Sequence, residues 1–425
     1  MCPLAIGSTQ ALSPETAGEA LATQVEKTLG AAAVGGGLLL STSAAGGQGL
    51  EVGRILGRRW PGADLAGTSF EGIVSEGRLW RDRPALALLA WGEQGAKPGL
   101  FGVDAGENDV PGLLAHEILE AAGRSELGPE DLVLLFPDAH SSRAIEPVLS
   151  SLAPMLGQAA IAGAGASGLN GEPVPAWLES ASWAGGWVGL VLPGPGPGSL
   201  GDEQGAQAAR PPLSRSRVVT APASRACSPW LGVTRCRGHW IERLDGEPAL
   251  ARLRRELGLT ARSSLGDILD RLLVRIRADG AEAWTGVMER DSERADPAVH
   301  EVYEERFVIG IDEGRGALSL PTAVGSGAQI AFALPDPGLA RDALRTGIDA
   351  IERTECLLHF GCRTRDASLH GDPDLEPALV AHLARDRGTL GTVGPLQLGP
   401  DRFGGVRLLV HATVLAALGG GGRAR

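Results

Sequence analysis

The chain has 425 residues, a formal net charge of −12 and a pI near 5.3, a balance that excludes non-specific nucleic-acid binding because that depends on clustered Lys and Arg. Apolar residues at 43% and charged residues at 21% exclude a disordered or fibrous chain, and the length predicts two or three domains of roughly 150 residues each. No apolar run reaches the roughly 18 residues of a membrane span, and "MCPLAIGSTQ" lacks the basic and apolar regions of a leader, so a soluble cytoplasmic protein without membrane contact is expected.

Taken in chain order, "LLLST" (38–42) reads as a short apolar strand. "GLEVGRILGRRW" follows as a helix with Val52, Leu56 and Trp60 on one face, and "DLAGTSFEG" (64–72) as a strand ending in a glycine turn. The same order returns about 96 residues later in "LLFPD", "IEPVLSSLAPML" and "AIAGAGASG" (160–168), with Gly67 over Gly163 and Gly72 over Gly168. Each copy continues into a further strand, "ALALLAW" or "GWVGLVL", so the N-terminal half reads as an internal duplication.

"IAGAGASG" (161–168) spells a G-x-G-x-x-G fingerprint, but a dinucleotide site needs a helix at the loop and an acid about 20 residues on. Here Asn170-Gly171 reads as a hairpin turn, Pro173 and Pro175 break any helix, and the corresponding downstream segment is apolar. The glycines are therefore expected to supply positive φ and close backbone approach at a strand corner. The small hydroxyls Thr68, Ser69 and Ser167 on the two turns are candidates for lining a shallow polar cleft.

"PGPGPGSLGDEQGAQAARPPLSRSR" (193–217) has no apolar period and reads as a linker between domains at 1–192 and 218–425. Beyond it, "CSPWLGVTRCRGHWIERLDGEPALARLRRELG" (227–258) gives a strand, the turn Leu244-Asp245-Gly246 and a helix with Pro248 in its first turn. Segment 261–306 reads as a helical insertion, with an amphipathic helix through Leu265, Ile268, Leu272 and Ile276, a decoration or a partner surface.

These motifs resemble the FIST sensory family. Its C-terminal half opens on a pattern met here by Cys227, Pro229, Gly232, Val233, Thr234, Gly238, Ile241, Leu244, Asp245, Gly246, Pro248, Ala249 and Leu250, with His239 where Asn is usual. "FVIGIDEGRGALSLPTAVGSGAQIAFALPD", "LLHFGCRTRD" with its Cys-x-x-Arg, a downstream acid at Glu376 and the closing "LVHATVLAAL" are similar to the rest of the family pattern, and "ADLAGTSFEGIVSEG" to its N-terminal part. One departure lies in "GTVGPLQLGP" (391–400), where Pro395, Leu396 and Gln397 replace an acid-bearing turn, which puts the ligand in doubt. The resemblance implies an α/β protein with mixed β-sheets flanked by helices, a FIST N-like domain followed by a related FIST C-like domain, and a sensor of small ligands such as amino acids. No kinase, cyclase or methyl-accepting segment is recognised, so output is expected through a separate protein partner.

The chemistry-bearing residues leave several readings open. Cys362 ends an apolar strand before Arg363 and Arg365, a setting for a reactive thiol. His359 falls on the opposite strand face, leaving His370 or His411 as a base reached through the fold, while a well-packed inert cysteine is the plain alternative. Five cysteines without framework spacing read as free thiols. Cys356-x-x-His359-x-x-Cys362 and Cys236-x-x-His239 are poor zinc sets, because strand alternation splits the first. No metal or other cofactor is expected. Arg363 and Arg365 suit a ligand carboxylate and Glu376 an ammonium, or the three pair among themselves. His411 and Thr413 complete the candidate set. A ligand sensor is the favoured reading, with an enzyme using Cys362 as nucleophile (hydrolase or transferase) and a ligand-free interaction module as competitors.

Overall fold

Local chemistry sets many elements before packing does. In the first helix the Ser13 side chain caps the free Thr16 N–H at 3.3 Å, Pro14 opens the helix where its missing N–H costs nothing, and Gly30 at φ 81° ends it. The computed structural model describes residues 3–418 except 11–12, 31–33, 95–96, 170–171, 173, 180, 195–217, 260–264, 278–302, 352–353, 386 and 401–405. Most of the expected linker, the Asn170-Gly171 turn, Pro173, Cys2 and much of the expected insertion lie outside the described residues.

The chain runs β1 (Leu4–Thr9), α1 (Pro14–Leu29), β2 (Val34–Thr42), α2 (Gln48–Arg59), β3 (Asp64–Phe70), β4 (Gly72–Ser75), β5 (Arg78–Arg81), β6 (Leu86–Gly92) and β7 (Gly99–Val103). It continues through α3 (Val110–Ala122), β8 (Leu132–Pro137), α4 (Ser142–Leu156), β9 (Ala160–Ala164), β10 (Pro175–Leu178), β11 (Ala181–Ala184), β12 (Trp187–Leu192) and β13 (Val218–Pro222). Next come β14 (Ser224–Ala226), β15 (Leu231–Arg237), β16 (Trp240–Leu244), β17 (Glu247–Pro248), α5 (Ala249–Glu256), α6 (Gly266–Leu269), β18 (Leu273–Arg277), β19 (Glu304–Phe307), β20 (Gly310–Asp312), β21 (Ala317–Ser319) and β22 (Gln329–Pro335). The last stretch holds α7 (Pro337–Ala350), β23 (Cys356–Cys362), α8 (Ala367–His370), α9 (Leu375–Ala384), β24 (Gly388–Gly394), β25 (Gln397–Pro400), β26 (Val406–Leu409) and β27 (Ala412–Leu418).

The chain divides into two compact units, one of residues 1–222 and 341–425 and the other of Ala223–Ala340. This partition differs from boundaries at 192 and 218. Composition marks where a chain is polar and turn-rich, whereas a unit is defined by which strands share ladders.

Among the described residues the first unit holds three six-stranded mixed sheets with one strand order. They run β1-β6-β2-β3-β10-β11, then β7-β12-β8-β9-β25-β26, and β13-β27-β23-β24-β4-β5. In each, two neighbouring strands are parallel and joined through helix (β2 with β3, β8 with β9, β23 with β24), and an antiparallel strand lies on the first of them. The end position is filled by a hairpin that follows a different sheet's parallel pair. β4–β5 follows β3 but pairs with β24, β10–β11 follows β9 but pairs with β3, and β25–β26 follows β24 but pairs with β9. The exchange closes a cycle and covers edges that would otherwise expose unpaired N–H and C=O groups. The segments aligned by the 96-residue shift occupy matching places in the first two sheets, a correspondence of topology.

The inner faces of all three sheets share one core, with Leu38, Leu40, Phe70, Phe136, Leu190, Phe360, Leu390 and Val414 among its members. Phe136 meets Phe70 and Phe360 edge-on at 5.4 and 5.8 Å between centroids. Helices cover the outer faces: Val52, Leu56 and Trp60 with Leu21 on the first sheet, Ile145, Leu149 and Leu152 with Leu114 on the second, and Leu344, Ile348 and Val380 on the third. Buried on both sides, the central strands are the near-continuous apolar runs expected of parallel pairs.

The glycines at Gly67, Gly163 and Gly391 occupy matching sites. A Cβ there would stand 2.7, 1.9 and 1.9 Å from the carbonyl oxygens of Leu39, Leu135 and His359 across the parallel ladders. Close approach therefore explains them. The expected positive φ is found at Gly163, at 159°, and not at Gly67 or Gly72.

The described residues of the second unit form a nine-stranded sheet around a core that includes Val233, Ile241, Leu253, Val274, Leu318 and Phe332. As the spacing predicts, β16, the turn at Asp245 and Gly246 and α5 follow one another. Buried Arg275 bonds Glu305 at 3.0 Å and the Ser224 carbonyl at 2.7 Å and stacks on Tyr303 at 4.4 Å. The amphipathic helix expected through Leu265, Ile268, Leu272 and Ile276 is corrected. Helix α6 ends at Leu269, and residues 273–277 form β18 between β19 and β22. Positions four apart share a face in a helix and also in a strand, so periodicity did not separate the two, and the waiting edges of β22 and β19 decided.

Candidate functional site

The parallel pairs of the first unit end in short turns whose residues converge. Ser69, near the end of β3, donates its hydroxyl to the Ser167 carbonyl at 2.8 Å, and the Ser167 N–H donates to the Ser69 carbonyl at 2.8 Å. The Gly165 N–H donates to the Leu396 carbonyl at 2.9 Å, and β24 meets β4 with Val393 opposite Gly72. This junction at the C-terminal ends of parallel strands is where ligand crevices form in α/β folds.

Thr42, Asp138 and Cys362 follow matching strand positions, and a short helical turn succeeds each. Thr42 accepts the Ala85 N–H at 3.0 Å, and Cys362 Sγ accepts the His411 N–H at 3.4 Å. The backbone clasp is therefore shared by the first and third sheets, but the chemistry beyond it belongs to the third. Cys362 Sγ lies 3.2 Å from Thr364 Oγ1, which lies 2.9 Å from His411 Nδ1. His411 stands at φ 52°, a left-handed conformation that histidine tolerates better than most side chains. Cys362 and His411 are buried, while Thr364 is partly exposed.

Behind β23 lies a second cluster. His359 points to the outer face, as alternation predicts, and its Nε2 meets Glu376 Oε1 at 3.1 Å. Arg365 Nε and an Nη reach Glu376 Oε2 at 2.9 and 2.7 Å, and His370 Nε2 reaches it at 3.1 Å. The Thr413 hydroxyl donates to Glu376 Oε1 and Arg365 donates to the Ala221 carbonyl at 3.2 Å. Burial opposes ionisation of Glu376, but the Arg365 charge and the His359 and His370 N–H groups outweigh it and hold the carboxyl well below the usual range. Of the two readings left open by sequence, the geometry shows Arg365 and Glu376 closed on each other, both buried.

Arg363 sits apart from them, half exposed. It bonds Glu71 at 3.0 Å, Arg81 reaches Glu71 at 3.5 Å and Asp366 at 2.9 Å, and the four form a rim of ion pairs. Solvent screening makes such a rim weak in energy, so its effect is to position the turn after β23.

The structure therefore brings Cys362 and His411 together through Thr364, brings Arg365, Glu376 and Thr413 together behind the strand, and places Ser69 and Ser167 on each other's backbone. Thr68, Ser167, Thr392 and Gln397 carry buried side-chain oxygens with no hydrogen-bond partner among the described residues. Gln397 Nε2 donates to the carbonyls of Gly361 and Gly394 at 3.0 and 3.2 Å; Gly361 precedes Cys362 and Gly394 is its register partner on β24. Thr364, Thr392 and Gln397, which the geometry adds to the candidate set, were not among the expected site residues. Gln397 carried a signal, an amide within an apolar strand, whereas the other two needed the sheet register.

Among the described residues the cluster with metal-ligand proximity is His116, Glu117 and Glu120, largely exposed on α3, and it involves none of the expected positions. No helix among the described residues is long and apolar enough to cross a membrane. No curated protein matches the chain. A family model described as the FIST N domain matches residues 37–247, from β2 to the start of β17, and the C-terminal likeness rests on the motifs alone. Through that domain the chain belongs to the FIST family of sensory and signal-transduction domains.

Proposed function

We propose that this chain is a stand-alone cytoplasmic sensor that binds a small polar ligand, an amino acid or a relative of one, and passes the signal to a separate protein partner. The observation that carries the reading is the set of buried, unpartnered oxygens on Thr68, Ser167, Thr392 and Gln397 around the strand-end junction. Buried polar groups in folded proteins nearly always have partners, so several orphans at one junction mark a place for a polar guest. Arg363, half exposed at the rim, supplies the cation for a ligand carboxylate. Ser69 and Thr413 act by positioning, since each bonds within the protein. In this reading 1–192 is the FIST N-like part and 218–425 the FIST C-like part.

Thermal-shift titration against amino acids and small amines tests the proposal. A true ligand at a hundred times its Kd stabilises by about 2.7 kcal/mol. Gln397→Met is expected to abolish the shift, and a screen in which no compound raises Tm overturns the reading. A second reading, a hydrolase or transferase with Cys362 as nucleophile, is favoured by the contact of Thr364 with both Cys362 and His411.

A further inference from the structure

Cys356 and Cys362 form a matched pair. They stand on one strand and one face, and each is 2% exposed. Their surroundings differ. Burial, with Glu76 and Glu355 nearby, pushes the Cys356 thiol far up. Cys362 instead contacts the Thr364 hydroxyl, which contacts His411 Nδ1, and its sulfur accepts the His411 N–H.

Gln397 adds an independent observation. Its Nε2 faces two carbonyl oxygens, Gly361 and Gly394, so the amide orientation is set and Oε1 must be the acceptor left over. Gly361 precedes Cys362 and Gly394 is its register partner. A wholly buried acceptor whose amide is held on the carbonyl preceding Cys362 and on that of its register partner, lacking a donor among the described residues, calls for a guest bearing N–H or O–H. Thr392, one strand over and opposite Phe360, offers a hydroxyl that is equally unpartnered.

We propose that Cys362 is a nucleophilic thiol that captures small α,β-unsaturated amides, with Gln397 Oε1 accepting the amide N–H and Thr392 donating to the amide carbonyl. In the step, the Cys362 proton passes to Thr364 Oγ1 as the Thr364 proton passes to His411 Nδ1. The sulfur lone pair attacks the β-carbon and forms the S–C bond, while the alkene π pair moves toward the carbonyl. The proton held by His411 returns through Thr364 to the α-carbon, leaving a thioether and no change of oxidation level. The proposal rests on the reading of Cys362 as a nucleophile and shares the oxygens of Gln397 and Thr392 with the sensor reading, while its thiol step stands on the Cys362, Thr364 and His411 geometry.

Acrylamide on the full chain near neutral pH, followed by peptide mass mapping, compares both thiols in one tube. Cys362 is expected to alkylate at least about tenfold faster than Cys356, the scale of modest general-base help. Thr364→Val is expected to remove that advantage with Cys356 unchanged, and Thr364→Ser to keep it. His411→Asn, whose side chain tolerates the left-handed backbone, is also expected to lose it. Equal rates for the two cysteines in the wild type overturn the proposal whatever the variants do, and so does an unchanged Cys362 rate in folded Thr364→Val. The thermal-shift screen can fail while Cys362 alkylates, and the reverse, so the two readings fall separately.

Discussion

Ser69 and Ser167, on turns that matching segments of the chain place about 98 positions apart, hold each other's main chain by two reciprocal bonds of 2.8 Å. One uses the Ser69 hydroxyl, and the other uses backbone alone. Ser69→Ala therefore removes one buried bond and leaves the Ser167 carbonyl short of a donor, at a cost of about 1–3 kcal/mol. Ser167→Ala removes a hydroxyl without a partner among the described residues and is expected to leave the urea midpoint nearly unchanged. A Ser167→Ala variant as unstable as Ser69→Ala sinks this account.

Glu376 carries the charge balance behind β23. Glu376→Gln leaves the buried Arg365 guanidinium without its counter-charge and is expected to destabilise by about 3–5 kcal/mol. Arg365→Met combined with Glu376→Leu is expected to cost less than the sum of the single changes, because neither charge is then stranded. Equilibrium unfolding of the four proteins gives the coupling directly.

The same carboxylate sets a pH dependence. Its folded pKa lies below the ordinary 4.5, so its stabilising contribution is complete above that value and is lost as pH falls through the folded pKa. Unfolding midpoints are expected to drop on acidification below about 4.5, with a shallower drop in Glu376→Gln. Glu26, lowered to about 2 by its bonds to Arg59 and Trp60 against the opposing effect of burial, keeps part of the drop in that variant.

Two glycine substitutions are expected to move stability in opposite directions. Gly391→Ala drives a methyl to 1.9 Å from the His359 carbonyl and costs about 3 kcal/mol or more, since backbone must shift. Gly57→Ala, inside α2 with its nearest neighbour 3.9 Å away, is expected to add about 0.5–1 kcal/mol through helix propensity. Thermal melts that reverse this order refute the close-approach explanation.

Much of the site was visible as residue types without being visible as a site. The opposite faces of His359 and Cys362 follow from strand alternation, and the structure agrees. That Glu376 meets His359, Arg365, His370 and Thr413 together depends on α9 docking behind β23, and no spacing along the chain encodes it. Thr364 stands two residues past Cys362, yet its bond to His411 joins residues 47 positions apart and could not be read from that spacing.

The sequence by itself determined the local elements: the apolar runs of β2, β8 and β23, the turn at Asp245 and Gly246 before α5, and the rejection of "IAGAGASG" as a phosphate loop. These depend on contacts within a turn or a strand, which periodicity and turn chemistry report. Only the tertiary structure decided that each hairpin leaves its own parallel pair to complete another sheet, and that residues 273–277 extend rather than coil. Strand pairing is settled by whichever edge offers unpaired N–H and C=O groups, a non-local quantity. The junction of Ser69, Ser167, Gln397 and Cys362 exists only once that pairing is made.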